Sequence, residues 1–187
     1  MIVQSPYTLA VSDTFSESEL CKGTWLVILN ASRTPPHVGL MINENYNSLT
    51  IKGHELNIHR SVLLKTIQQK KIEALFIKLK HHPVFSFEFQ TEICQYYIKQ
   101  FTQVKANEAS CLSPVKLFLQ EFYAIKENKL ELLFELIERM KQNQYISLTL
   151  GLNVGQKLEG NKFPLPMYTN EELQAIIKTE RAAYYKE

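Results

Sequence analysis

A thiol just ahead of a helix and an imidazole at the head of a strand are the two groups in this sequence best suited to carbonyl chemistry. Cys111 stands two residues before Ser113-Pro114, the clearest helix start in the chain. Serine accepts from unpaired amides there, and proline at the first helical position loses no intrahelical bond. His37 opens the apolar run His37-Val38-Gly39-Leu40-Met41-Ile42-Asn43, which is entered from the stiff Pro35-Pro36. The thiolate is the reactive form of cysteine, and free helix amides or a nearby imidazolium lower its pKa by several units from about 8.5. Placed together, the two residues would form a nucleophile and its base. Each also has a plainer reading: Cys111 as a small buried apolar side chain, His37 as a loop histidine bonded to a carbonyl.

The remaining candidates are weaker. Cys94 lies between Ile93 and Tyr97 at helical spacing and reads as core, and Cys21 precedes Lys22-Gly23 at a possible helix end. His54 and His59 flank Glu55-Leu56-Asn57-Ile58 without metal-ligand spacing, and His81-His82 before Pro83 read as solvated loop residues. There is no C-x-x-C pair, G-x-S-x-G elbow or dinucleotide-binding glycine pattern. No metal and no cofactor is therefore expected.

A length of 187 residues with 45% apolar content suits a single domain spanning 1–187, with a core over about 23–150 and a C-terminal extension over about 151–187. A net charge of +2, with both signs interspersed, gives no basic field for a phosphate backbone, so nucleic acid is not expected as a partner. The 9 Tyr and 10 Phe fall mostly at core periodicity rather than among basic residues, which argues against base stacking. Without a signal-like start or a run of about 18 apolar residues, the expectation is a soluble cytoplasmic protein with no stable membrane insertion. Three cysteines without a pairing pattern suit a reducing compartment. Oligomeric state is not legible in the sequence.

Periodicity places strands at 24–30 and 37–43, turn chemistry at 44–47, and an alternating strand at 48–52. A helix over 60–71 and a strand over 72–80 follow. Thr91 is positioned to cap a helix reaching about Phe101, Cys111 or Ser113 to start another, and Lys129 to begin a third that ends near Gln142. Residues 145–150 read as a late strand, 163–167 as a proline segment crossing the domain, and Thr169-Asn170-Glu171-Glu172 as a capping box. The class is α+β, with an antiparallel meander against packed helices.

The segments Cys21-Lys22-Gly23-Thr24-Trp25-Leu26-Val27, Pro36-His37-Val38-Gly39-Leu40, Tyr46, and Ser110-Cys111-Leu112-Ser113 resemble the circularly permuted branch of the papain-like thiol enzymes. That branch includes lecithin-retinol acyltransferase-like proteins and relatives of bacterial cell-wall peptidases. The resemblance covers about Gly23 to Phe122, with the histidine before the cysteine as the permuted order requires. It implies a papain-like antiparallel sheet or small barrel with packed helices. It also implies a Cys111–His37 pair cleaving or transferring an amide, ester or thioester, with a peptide, amide or acyl substrate. Thr24 departs from the acidic residue usual at its position, which bears on local turn contacts. The family's third polar residue, which orients the imidazole, would fall near Ser48 to Thr50, where there is no histidine, glutamine or acidic residue. Ser48 or Thr50 could hydrogen-bond a ring nitrogen, and His54 could do so only in a different register. With no orienting group, the alternative is a non-catalytic binding or scaffold protein on the same fold.

Overall fold

The computed structural model describes residues 6–12, 15–125 and 132–185. Strands β1 (Tyr7–Ala10), β2 (Thr24–Leu29), β3 (His37–Ile42), β4 (Asn45–Thr50) and β5 (Gly53–His59) precede helix α1 (Arg60–Gln69). Then come β6 (Ala74–Leu79), α2 (Phe87–Lys99), α3 (Leu112–Tyr123), α4 (Leu133–Gln142), β7 (Ile146–Leu152), β8 (Lys162–Leu165) and α5 (Asn170–Tyr184). Six strands form one antiparallel sheet in the order β5-β4-β3-β2-β6-β7, while β1 and β8 pair separately. The protein is therefore α+β, as its periodicity implied.

The sheet is open, which corrects the small-barrel alternative. Closure needs edge strands whose alternate residues share an apolar interior. β5 instead carries exposed His54, Glu55, Asn57 and His59.

β2 is apolar after Thr24 because both of its faces are covered. Leu26 and Ile28 pack with Val38 and Leu40 of β3 under Ile98, Phe118, Leu119 and Leu136 of the α2, α3 and α4 layer. Trp25 and Val27 turn the other way, toward Met41, Tyr46 and Phe76 and the Leu63, Leu64 and Ile67 face of α1. The C-terminal segment belongs to the first of these cores, contributing Phe163, Leu165, Leu173 and Ile177.

Several boundaries shift from the sequence reading. The β3–β4 connection needs only Asn43-Glu44, with Asn43 at positive φ, so β4 begins at Asn45 inside the expected turn. Residues 53–59 form β5, a strand not anticipated. It is set up by a turn in which Gly53 takes φ +122° and Thr50 Oγ1 donates to Gly53 O at 3.0 Å. Ser86, not Thr91, caps α2 by accepting from Phe89 N at 3.2 Å, and Thr91 back-bonds to Phe87 O within the helix. The expected helix start at Lys129 lies outside the described residues. The proline segment is partly strand β8, with Pro164 opposite Thr8, which a two-stranded ribbon of edge strands tolerates. The capping box at Thr169 forms in full, with Glu172 N donating to Oγ1 at 3.2 Å and Thr169 N donating to Glu172 Oε2 at 2.8 Å.

Candidate active site

β3 is paired along its whole length with β2, from Thr24 opposite Ile42 to Leu29 opposite His37. Its pairing with β4 starts only at Gly39, opposite Ser48. The backbone of residues 36–38 on that side is left for another partner, and the start of α3 supplies it. Cys111 Sγ lies 4.0 Å from the Pro36 carbonyl oxygen, and the Val38 amide is directed at the sulfur. The nucleophile candidate is thus docked at the mouth of the strand that carries the base candidate. Pro36 is fully packed there, while His37 is half-buried.

His37 Nε2 lies 3.2 Å from Ser48 Oγ, and Ser48 Oγ donates to Glu55 Oε2 at 2.9 Å. Ser48 and Glu55 are directly opposite each other in the β4–β5 ladder, so sheet register sets this chain of contacts. The directions of the bonds follow from counting protons. A carboxylate only accepts, so the one hydroxyl proton of Ser48 goes to Glu55. Ser48 can then only accept from His37, which fixes the proton of the neutral ring on Nε2 and leaves Nδ1 with a bare lone pair. Desolvation holds the His37 pKa below its ordinary 6.5, and the Glu55 charge opposes that shift only in part. The ring is a neutral base at pH 7.

Cys111 does not sit in the strongly activating surroundings anticipated for it. Burial pushes its pKa up to about 11, against the amides of Val38, Cys111 and Leu112, which favour the thiolate, and the Glu180 carboxylate adds to the rise. The resting pair is therefore a neutral thiol and a neutral imidazole. Cys111 occupies the N-cap position with a helical backbone and gives no side-chain cap. Capping falls to its neighbours: Ser110 Oγ accepts from Leu112 N at 3.2 Å, and Ser113 Oγ accepts from Ser110 N at 3.0 Å. Pro114 stays within the first turn, where amide protons have no intrahelical acceptor, so it costs α3 nothing.

His37 and Cys111 line one cleft of about 410 Å³ with apolar walls that include Pro35, Ile51, Val104, Leu173 and Ile177. An Arg33–Glu180 ion pair bridges its rim from the loop before β3 to α5. Of the four residues proposed from sequence, His37 and Cys111 line this cleft, while Ser48 is buried behind it and reaches it only through His37. Thr50 also lines it, but its hydroxyl donates to Gly53 O and accepts from Lys52 N, so it serves the turn rather than the imidazole. His54 is engaged elsewhere, its Nε2 lying 2.5 Å from Phe101 O. Cys94 is buried away from the cleft and its pKa is pushed up to about 12 by desolvation alone.

Glu55 is the residue that sequence reading missed. The acidic group does not stand on the strand after His37; it reaches the imidazole from one strand further, through Ser48. The signal was present: Thr50 to Gly53 is a tight turn, and folding the chain back there sets residue 55 against residue 48. Among the described residues, no group of three or more His, Cys, Asp or Glu side chains could hold a metal ion, and no helix is long and apolar enough to cross a membrane.

Comparison of the chain with protein-family models, with curated proteins and with solved structures returned no significant match in any of the three.

Proposed function

We propose that this protein is a cysteine-dependent hydrolase or acyltransferase of circularly permuted papain-like type, acting on an amide, ester or thioester carbonyl. One observation carries the reading: the Glu55–Ser48–His37 hydrogen-bond sequence leaves Nδ1 of His37 as an unprotonated lone pair at a cleft that Cys111 also lines. In the reaction the Cys111 proton passes to Nδ1 as sulfur bonds to the carbonyl carbon, so no preformed ion pair is needed. Glu55 stabilises the imidazolium that forms, relayed through a hydroxyl rather than by direct contact. The imidazolium then returns the proton to the leaving group, and water or a second acceptor releases the acyl group from sulfur. The cleft combines apolar walls with Arg33, Lys52, Glu55 and Glu180, which suits an acyl or side-chain group with an apolar body and a polar end.

The test is acylation by an activated ester, p-nitrophenyl acetate, followed as a burst of p-nitrophenol and as a mass increase on the Cys111 peptide. Cys111→Ala should abolish the burst, and His37→Ala should slow it by about 10²-fold or more. A burst unchanged in Cys111→Ala would end this reading.

A second reading, a binding cleft without turnover, is favoured by the enclosed thiol whose pKa is raised rather than lowered. Iodoacetamide separates the two. A working Cys111 is alkylated near neutral pH much faster than Cys21 or Cys94, whereas uniformly slow labelling supports the binding cleft.

A further inference from the structure

Tyr46 is fully buried, and its hydroxyl makes no hydrogen bond of normal geometry, Ser48 being the side chain nearest to pairing with it. A phenol oxygen taken out of water is ordinarily satisfied, so an orphan of this kind calls for a reason. Its position supplies one. Tyr46 rises from β4 opposite Met41 of β3, and its ring lies along the same sheet face over Gly39. A Cβ on Gly39 would stand 2.5 Å from Cε2 and 2.6 Å from the hydroxyl oxygen, so only glycine permits this approach. Side chains at 37, 39 and 41 share that face, since alternate residues of a strand point the same way. A ring rooted beside 41 and crossing over 39 therefore aims its hydroxyl toward His37 and the adjoining sulfur. Ser48, the nearest polar neighbour along β4, already commits its proton to Glu55 and a lone pair to His37.

The backbone leaves room for such a donor. Attack by sulfur on a carbonyl develops negative charge on oxygen, which needs about two donors placed in advance. At the start of α3 the Leu112 amide is already taken by Ser110 Oγ and the Ser113 amide by Ser110 O at 3.1 Å. The Cys111 and Val38 amides, both directed at the sulfur in the resting protein, remain, and a side-chain donor would add to them.

We propose that the Tyr46 hydroxyl is the side-chain donor of the oxyanion site, held without a partner in the resting protein and satisfied only when the tetrahedral intermediate forms. This rests on the reading of Cys111 as nucleophile. As the Sγ–C bond forms, the carbonyl π pair moves onto oxygen and is met by the Tyr46 O–H, while the thiol proton goes to His37 Nδ1. Collapse of the intermediate breaks the C–O bond to the leaving group, which takes that proton, and Tyr46 is left unpartnered again. Burial keeps the phenol protonated across the working pH range, so it acts as a donor and never as a base.

The experiment compares two reactions of the same sulfur in wild type and Tyr46→Phe. Acylation by p-nitrophenyl acetate passes through an oxyanion, whereas alkylation by iodoacetamide is a direct displacement at carbon and does not. Tyr46→Phe should slow acylation of Cys111 by at least about tenfold. Alkylation of Cys111 should stay within about twofold, and the melting temperature should be unchanged or higher because an unsatisfied buried hydroxyl has been removed. Gly39→Ala, which keeps the hydroxyl but displaces the ring, should reproduce the acylation defect. Equal effects on both reactions, no effect on either, or a Tyr46→Phe protein that melts several degrees lower would each overturn the proposal. A wild-type Cys111 inert to both reagents would instead remove the nucleophile reading, and this inference with it.

Discussion

Cys94 is buried and Cys111 half-buried, both belong to helices of the same layer, and both have thiols whose pKa desolvation drives upward, yet their surroundings differ in kind. Around Cys94, in the middle of α2, desolvation acts alone and the side chain belongs to the main core. Around Cys111 three backbone amides work against desolvation, a cleft reaches the residue, and the His37 imidazole lines that cleft. A helix interior has spent its amides on its own carbonyls, whereas a helix start has not, so burial there still leaves donors for sulfur. The comparison separates a cysteine used for its volume from one whose electrons remain within reach.

The contrast breaks or sharpens at several places. Ser48→Ala should have the largest effect after loss of Cys111 or of His37. It strips His37 Nε2 of its acceptor and frees the proton to move to Nδ1, so acylation should fall by about 10²-fold while folding is retained. Steady-state and burst kinetics of p-nitrophenyl acetate hydrolysis would measure it. Glu55→Gln should cost less, about tenfold, because the amide oxygen still accepts from Ser48 and only the charge that steadies the imidazolium is lost. If Glu55→Gln matches wild type, the relay is structural and not chemical.

His37 also leaves a mark on stability. Its folded pKa lies below 6.5, so on acidification the unfolded chain takes up a proton that the native ring resists. Stability is complete above about pH 6.5 and declines as pH falls toward the native pKa. His37→Ala should flatten that part of a urea-unfolding series run between pH 7.5 and 5. The smallest effect belongs to Cys94→Ala, which should lower stability by about 1 kcal/mol through the small cavity it leaves and leave acylation untouched. A Cys94→Ala protein with impaired acylation would dissolve the contrast between the two thiols.

The α+β class, the double burial of β2, the α5 capping box and the thiol ahead of α3 were legible because each is a local matter of period or capping. Glu55 and the role of Thr50 were not. They depend on a two-residue turn that puts β5 back against β4, and a strand of mostly polar, exposed residues gives no apolar period to announce it. The raised pKa of Cys111 was illegible for a related reason. Free amides are visible in sequence as a helix start, but the packing that desolvates the sulfur comes from β3 and α5, far along the chain. Tyr46 was visible as a residue, while its unpartnered hydroxyl depends on Gly39 lying beneath its ring.

His37, Tyr46, Ser48 and Glu55 all lie on three consecutive strands joined by two tight hairpins. Contacts this close in sequence can close within microseconds of collapse. The sulfur arrives from a distant helix that must first find the open side of β3. A chain still being made would therefore assemble the His37–Ser48–Glu55 contacts early and gain Cys111 beside them only on docking of α3. Reactivity toward acyl groups would then report the finished molecule, and a partly folded one would stay chemically quiet.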